Sequence, residues 1–254
     1  MCDKGNYSKS YIECVVKFLS YPKKDWEIGL QRYKELQDIG VSCLLFEGKL
    51  SINGCKILGK GTNAVIIKVK YENSVYVLKV LRLDASRRSL YNEAEILKRL
   101  EAYNIAPKII KFSSWFILEE YIEGVPIADY LNSDIYLKDV KSFKRVIYDL
   151  LNKCRLLDSL GIDHGELGKK GKHVIIQPNN TVKIIDFESA STTRKPRNLS
   201  TIIQYIFYKT DLGKRYIDLI NRSFAGLAQL IREYKDGSEN AFRKLCMYLD
   251  LLTD

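Results

Sequence analysis

Hydrophobic positions along the chain change period several times. Residues 7–20 (YSKSYIECVVKFLS) and 24–39 (KDWEIGLQRYKELQDI) carry apolar side chains at helical spacing, with Trp26, Leu30, Tyr33 and Leu36 on one stripe. Gly40 ends the second of these helices. From 43 to about 83 the period drops to two. CLLFEGKLSINGCKIL, AVIIKVKY and SVYVLKVLRL are short β-rich runs broken by Asn53-Gly54 and Glu72-Asn73-Ser74, which predicts an antiparallel meander. Helical spacing returns over 86–103 and stops before Pro107; two strands, KIIKFS and WFILEEYI, then lead to Gly124. A long helix is predicted over about 138–160, then a hairpin of HVIIQ and TVKIIDF around Pro178-Asn179-Asn180, and helix throughout 198–252. Strands first and helices afterwards indicate an α+β fold with two lobes. The expected divisions are a helical extension at 1–42, a β-rich first lobe at 43–123 and a reduced helical second lobe at 124–254, with Gly124 as the hinge.

Composition adds a charge bias and little else. The 254 residues are 46% hydrophobic and 28% charged, ordinary for a globular chain, but the net charge is +10. That excess favours polyanionic partners: nucleotide phosphates, nucleic acid or an acidic protein surface. Six cysteines (Cys2, Cys14, Cys43, Cys55, Cys154, Cys246) are scattered without a C-x-x-C pair and there are only two histidines, so buried reduced thiols are expected rather than disulfides or zinc. No run is apolar for long enough to span a bilayer, and MCDKGNYSKS lacks a signal-peptide layout. A cytoplasmic protein with no membrane partner is expected.

The candidate chemistry lies in four places. Gly59-Lys60-Gly61 sits between two strands, where a turn without side chains lets backbone N–H groups approach phosphates; a plain hairpin turn has the same signature. The alternative P-loop pattern over 54–62 fails, because Gly61 replaces the metal-binding hydroxyl and a strand follows instead of a helix. Lys79 shares a strand face with Val75 and Val77, and Glu93 shares a helical stripe with Leu90, Leu97 and Leu100. Each buried charge needs the other. Asp186 closes the apolar run Val182–Ile185, where a carboxylate requires a cation or several donors. Just upstream, Gly161-Ile162-Asp163-His164-Gly165-Glu166-Leu167 offers two carboxylates.

Together these segments resemble the protein-kinase superfamily. Gly59-Lys60-Gly61, Val77-Leu78-Lys79 and Asn92–Leu97 look like its first lobe; Leu118–Gly124 looks like the segment whose backbone meets adenine, here at Glu120, Tyr121 and Ile122, with Glu119 at the usually apolar gatekeeper. Asp186-Phe187-Glu188 resembles D-F-G with the glycine replaced, and His164-Gly165-Glu166-Leu167 resembles the H-G-D-L loop of RIO kinases, the KEOPS kinase subunit and aminoglycoside phosphotransferases. Short archaeal proteins predicted to be serine/threonine kinases are similar over the same motifs.

The resemblance implies an atypical serine/threonine kinase using ATP and Mg²⁺ or Mn²⁺, autophosphorylating, with a protein hydroxyl as acceptor. By the same resemblance Lys79 holds phosphates and Glu93 holds Lys79, Asp186 binds metal, and His173 stands roughly where a second metal ligand belongs. The base is Asp163 or Glu166: Glu166 by register, Asp163 by side-chain length, with a slight preference for Asp163. ATPase, small-molecule kinase and regulatory pseudokinase readings share these motifs. No A-P-E sequence follows Arg194-Lys195-Pro196-Arg197, so peptide docking is reduced.

Overall fold

A computed structural model describes residues 8–133, 139–238 and 240–252. The chain divides into two units, one of residues up to 102 with 107–121, the other of 103–106 with 122 onward. Residues 1–7 (with Cys2) and Lys138, on which parts of the predicted helices fall, lie outside the described residues.

In the first unit the predicted helices form as α1 (Lys9–Leu19) and α2 (Trp26–Asp38), capped by the side chains of Ser8 and Asp25. The meander follows as β1 (Val41–Leu45), β2 (Leu50–Ile52), β3 (Cys55–Ile57), β4 (Gly59–Lys60), β5 (Ala64–Tyr71) and β6 (Ser74–Leu81). Both tight turns use positive-φ pairs, Asn53-Gly54 (φ 50 and 86) and Glu72-Asn73 (φ 45 and 64), as two-residue hairpin connections require. Helix α3 (Tyr91–Leu100) precedes β7 (Ile109–Phe112) and β8 (Phe116–Glu120). The main sheet runs β1-β5-β6-β8-β7, with β4 also on β5, and β2–β3 forms a separate hairpin.

The sheet separates two sets of side chains. Val65, Ile67 and Val69 of β5 and Leu78 and Val80 of β6 pack with Val15, Phe18, Leu19, Tyr33 and Leu36 of the helical extension. Helices α1 and α2 of the predicted extension therefore belong to the first unit's core. Lys79, between Leu78 and Val80, points the other way, as alternation predicts. Helix α3 starts at Tyr91, later than the periodicity indicates, because preceding groups are committed elsewhere. Ser86 bonds Asn63 through its N–H and Oγ, Arg82 pairs with Asp84, and the Leu90 N–H reaches Ser114 O.

One expectation is corrected here. Cys14 of α1 and Cys55 of β3 form a disulfide across 41 residues, and Cys43 is disulfide-bonded as well. Close spacing is no guide when packing of a helix on a hairpin brings the thiols together. Cys154 and Cys246 are buried free thiols, as expected.

In the second unit β9 (Val125–Pro126) and α4 (Ile127–Leu131) precede the long helix α5 (Val140–Ser159). Strands β10 (Val174–Ile176) and β11 (Val182–Ile184) form the predicted hairpin, and β9 adds to β10. A Cβ on Gly124 would lie 2.3 Å from Ile176 O, so this glycine serves close strand approach and belongs to the second unit. The predicted continuous C-terminal helix is broken into α6 (Asn198–Ile203), a π-helical turn at Gln204–Lys209, α7 (Asp211–Leu219), α8 (Phe224–Lys235) and α9 (Ala241–Tyr248). Thr210 and Ser223 make two of the breaks by capping α7 and α8. The core is built on the α5 stripe Phe143, Val146, Ile147, Leu150, Leu151, Cys154 and Leu157.

Candidate active site

In the first unit Lys79 Nζ lies 2.8 Å from Glu93 Oε1, and each residue is only 3% exposed. Strand β6 points the ammonium inward and the first turn of α3 delivers the carboxylate, so two charges that neither element tolerates alone satisfy one another. Glu95 is exposed, as its place off the stripe predicts.

The glycine turn is held from two sides. Gly61 N–H donates to Ala64 O at 2.8 Å, and Arg82 Nη1 donates to Gly61 O at 2.9 Å. Arg82 N–H also binds Asn63 O. The Lys60 ammonium and the Arg82 guanidinium both face the ring of Tyr21, at 5.0 and 5.2 Å, so the helical extension contributes to the loop's support. Sequence reading missed Arg82, Asn63 and Tyr21; nothing in their local pattern marks them.

At the end of β8 the Glu120 N–H is already used by Lys108 O, and its carboxylate accepts from the Lys108 N–H. The ring of Tyr121 lies 4.4 Å below the Lys68 ammonium. Glu119 is half-buried on the same strand, and Ile122 is the first of the second unit's long segment.

In the second unit the loop after α5 brings together Asp163, His164 and Glu166. Asp163 is 9% exposed and forms a reciprocal backbone bridge with Ser191. Its carboxylate accepts from Arg194 Nε at 2.9 Å and from the Arg197 N–H at 3.4 Å. Gly165 has φ +82, and a Cβ there would sit 2.6 Å from Arg194 Nη2. Glycine is favoured by this left-handed backbone and by Ser189 O, 3.0 Å from such a Cβ.

His164 is fully buried. Its Nε2 faces Ile185 O at 3.0 Å, while Nδ1 accepts from the Glu166 N–H at 3.3 Å, so the ring carries its proton on Nε2. Burial pushes its pKa down to about 4, against the partial support of the Ile185 carbonyl, and the imidazole is neutral. Asn198 Oδ1 accepts from the His164 N–H at 2.9 Å.

Glu166 is less buried than Asp163. Its Oε1 accepts from Ser189 Oγ at 2.8 Å and pairs with Lys169 at 3.2 Å. Burial pushes this carboxyl upward, but those donors and the charges of Lys169 and His173 outweigh it and hold the pKa below the ordinary value. His173 stands between two carboxylates, with Nε2 3.4 Å from Glu166 Oε2 and Nδ1 3.5 Å from Asp186 Oδ2. Asp186 adopts left-handed backbone (φ 65, ψ 69), a conformation costing about 1–3 kcal/mol that clusters at functional sites. Sequence reading did not find Ser189 or Asn198, and it took Arg194 only as part of a basic run.

Among the described residues no three His, Cys, Asp or Glu side chains form a self-sufficient metal cage. The oxygens of Asp186 nonetheless suit Mg²⁺, which is typically held by one or two carboxylates together with substrate phosphates.

The family model of the protein kinase domain matches residues 52–210. The chain belongs to that family, whose activity is phosphoryl transfer from ATP with a divalent metal. No curated protein matches it.

Proposed function

We propose that this kinase-family chain is an ATP- and Mg²⁺-dependent serine/threonine protein kinase of atypical sequence that also phosphorylates itself, with Glu166 as the residue that receives the acceptor hydroxyl's proton. The observation that carries the assignment is the unequal state of the two loop carboxylates. Asp163 is committed to the Arg194 guanidinium and the Arg197 backbone N–H and is almost fully buried, whereas Glu166 keeps an exposed edge and its backbone is fixed by neutral His164. The preference between them therefore moves to Glu166.

The other roles follow group by group. Lys79, held by Glu93, binds phosphate oxygens; the turn of Gly59, Lys60 and Gly61, its Gly61 N–H held by Ala64 O, lies over phosphate; backbone at Tyr121 and Ile122 meets adenine, since the Glu120 N–H is engaged with Lys108 O. Asp186 holds Mg²⁺ (or Mn²⁺), which when bound neutralises phosphate charge. His173 keeps the carboxylates of Glu166 and Asp186 apart and oriented; imidazole is a poor Mg²⁺ ligand. The net charge of +10 suits an acidic protein substrate or a nucleic-acid-associated one. A second reading, a nucleotide-binding pseudokinase, draws on the same Glu166, because its Oε1 already carries Ser189 and Lys169.

Labelled ATP with Mg²⁺ tests this on wild type and on Lys79→Ala, Asp163→Asn, Glu166→Gln and Asp186→Asn. Transfer to protein hydroxyls is expected, with losses of about a hundredfold or more for Glu166→Gln and near-complete loss for Asp186→Asn. Binding without transfer or turnover in wild type establishes the pseudokinase reading. A folded Asp163→Asn that loses as much as Glu166→Gln returns the base to Asp163.

A further inference from the structure

The second unit contains a cavity of about 590 Å³ away from Glu166, His173 and Asp186. Three segments form it: the end of α5 with Arg155, Asp158 and Ser159, the stretch Lys195–Arg197 with Ser200, and the end of α8 with the turn that follows it. Phe242 of α9 supplies an apolar wall and Tyr234 of α8 an aromatic hydroxyl. The volume falls in the range typical of small-molecule sites.

Its chemistry is one-sided. Arg155, Lys195, Arg197 and Lys235 line the cavity against the single carboxylate of Asp158. Among the described residues none of the four cations has an ion-pair partner. Arg155 is pre-placed, its guanidinium 4.7 Å over the ring of Phe242, which leaves its N–H groups unspent. The Asp158 carboxylate is already filled by the N–H and Nδ2 of Asn198, the Leu199 N–H and the Tyr234 hydroxyl. It braces the floor and offers little to a cationic ligand. Cations without ion-pair partners beside an aromatic wall match an anion carried on an apolar body.

We propose that this cavity binds a small organic phosphate monoester, its phosphoryl oxygens on Arg155, Lys195 and Arg197 and its carrier against Phe242 and Tyr234. The site is wired to the loop of Glu166. Asn198 Nδ2 bonds both Asp158 Oδ1 at 2.8 Å and Ile162 O at 2.6 Å, and its Oδ1 takes the His164 N–H. Arg194, next to Lys195, holds Asp163. A ligand that orders 195–198 therefore also orders 162–166.

Calorimetric titration of the full chain with phenyl phosphate and with inorganic phosphate, alongside amide hydrogen exchange, tests this without reading phosphotransfer. One site is expected, filled more tightly by phenyl phosphate than by inorganic phosphate. Arg155→Gln and Lys195→Gln should each raise Kd at least tenfold, and exchange at 162–166 and 194–200 should slow on binding. Lys34→Gln, which removes the same charge from an exposed position on α2, should leave Kd unchanged. The proposal is overturned by no binding, by a Kd indifferent to Arg155→Gln and Lys195→Gln, or by equal weakening in Lys34→Gln, which marks diffuse charge attraction. Equal affinity for the two probes removes the organic carrier from the assignment.

Discussion

At the scale of single residues the Lys79–Glu93 pair has the largest energetic consequence. Both side chains are buried, so removing one partner deprives the other of a 2.8 Å ion pair where water is scarce. Glu93→Ala is expected to destabilise the first unit by about 3–5 kcal/mol. The double variant Lys79→Met with Glu93→Leu, which removes both charges and keeps volume, should lose much less. Chemical denaturation of the three proteins measures this; a double variant at least as unstable as Glu93→Ala would falsify the account. This pair was legible in the sequence because strand and helix periodicity each forced a charge into an apolar stripe. The unequal surroundings of Asp163 and Glu166 were not, since they depend on Arg194, 31 residues further along, folding back onto Asp163. Asn198 was hidden in the same way: a polar residue opening a short helix carries no mark of the three groups it joins.

At the scale of elements, periodicity located every strand of the main sheet except the two-residue β4 as an element distinct from its turn, and it located α1, α2, α3 and α5. What it missed were the short β9 and α4 and the breaks imposed by hydrogen bonds. The start of α3 is set by the Ser86–Asn63 and Leu90–Ser114 contacts, and the ends of the C-terminal helices by Thr210 and Ser223. The disulfide lay outside any pattern argument, because it joins two elements whose contact only the fold defines. Cys14–Cys55 ties α1 to the hairpin directly ahead of the glycine turn. Closing a loop of 41 residues is worth roughly 3–4 kcal/mol in the chain-entropy model. The Cys14→Ala, Cys55→Ala variant should therefore unfold at a lower temperature by about 10 °C, at roughly 2–4 °C per kcal/mol for a chain of this size. Thiol titration of the unreduced, denatured wild type checks the bridge itself. Recovery of all six cysteines as free thiols would show that it does not form.

At the scale of the whole molecule, composition set the sign of the electrostatics correctly and left its distribution open. The excess of cations is concentrated in part around the cavity of the second unit, where Arg155, Lys195, Arg197 and Lys235 face one carboxylate. The response of global stability to acid rests on a different group. Of the two histidines, His164 is fully buried and neutral, with a folded-state pKa of about 4 against an ordinary value of 6.5. A depressed pKa contributes stability that is complete above the unfolded value and is lost as pH falls toward the folded one. Between pH 6.5 and 4 the unfolded chain accepts a proton that the folded chain refuses, at about 1.4 kcal/mol per pH unit. The loss totals about 3 kcal/mol over that window. Most of it falls at higher pH than the carboxylates held low by their donors, such as Asp84, Asp139 and Glu233, which act below their ordinary values. Thermal melts from pH 7 to 4.5 should show the unfolding temperature falling by roughly 5–10 °C in wild type. His164→Gln, which keeps an N–H for Ile185 O but has no proton to gain, should start lower at pH 7 and decline much less steeply. Parallel declines in the two proteins would remove His164 as the origin of acid sensitivity.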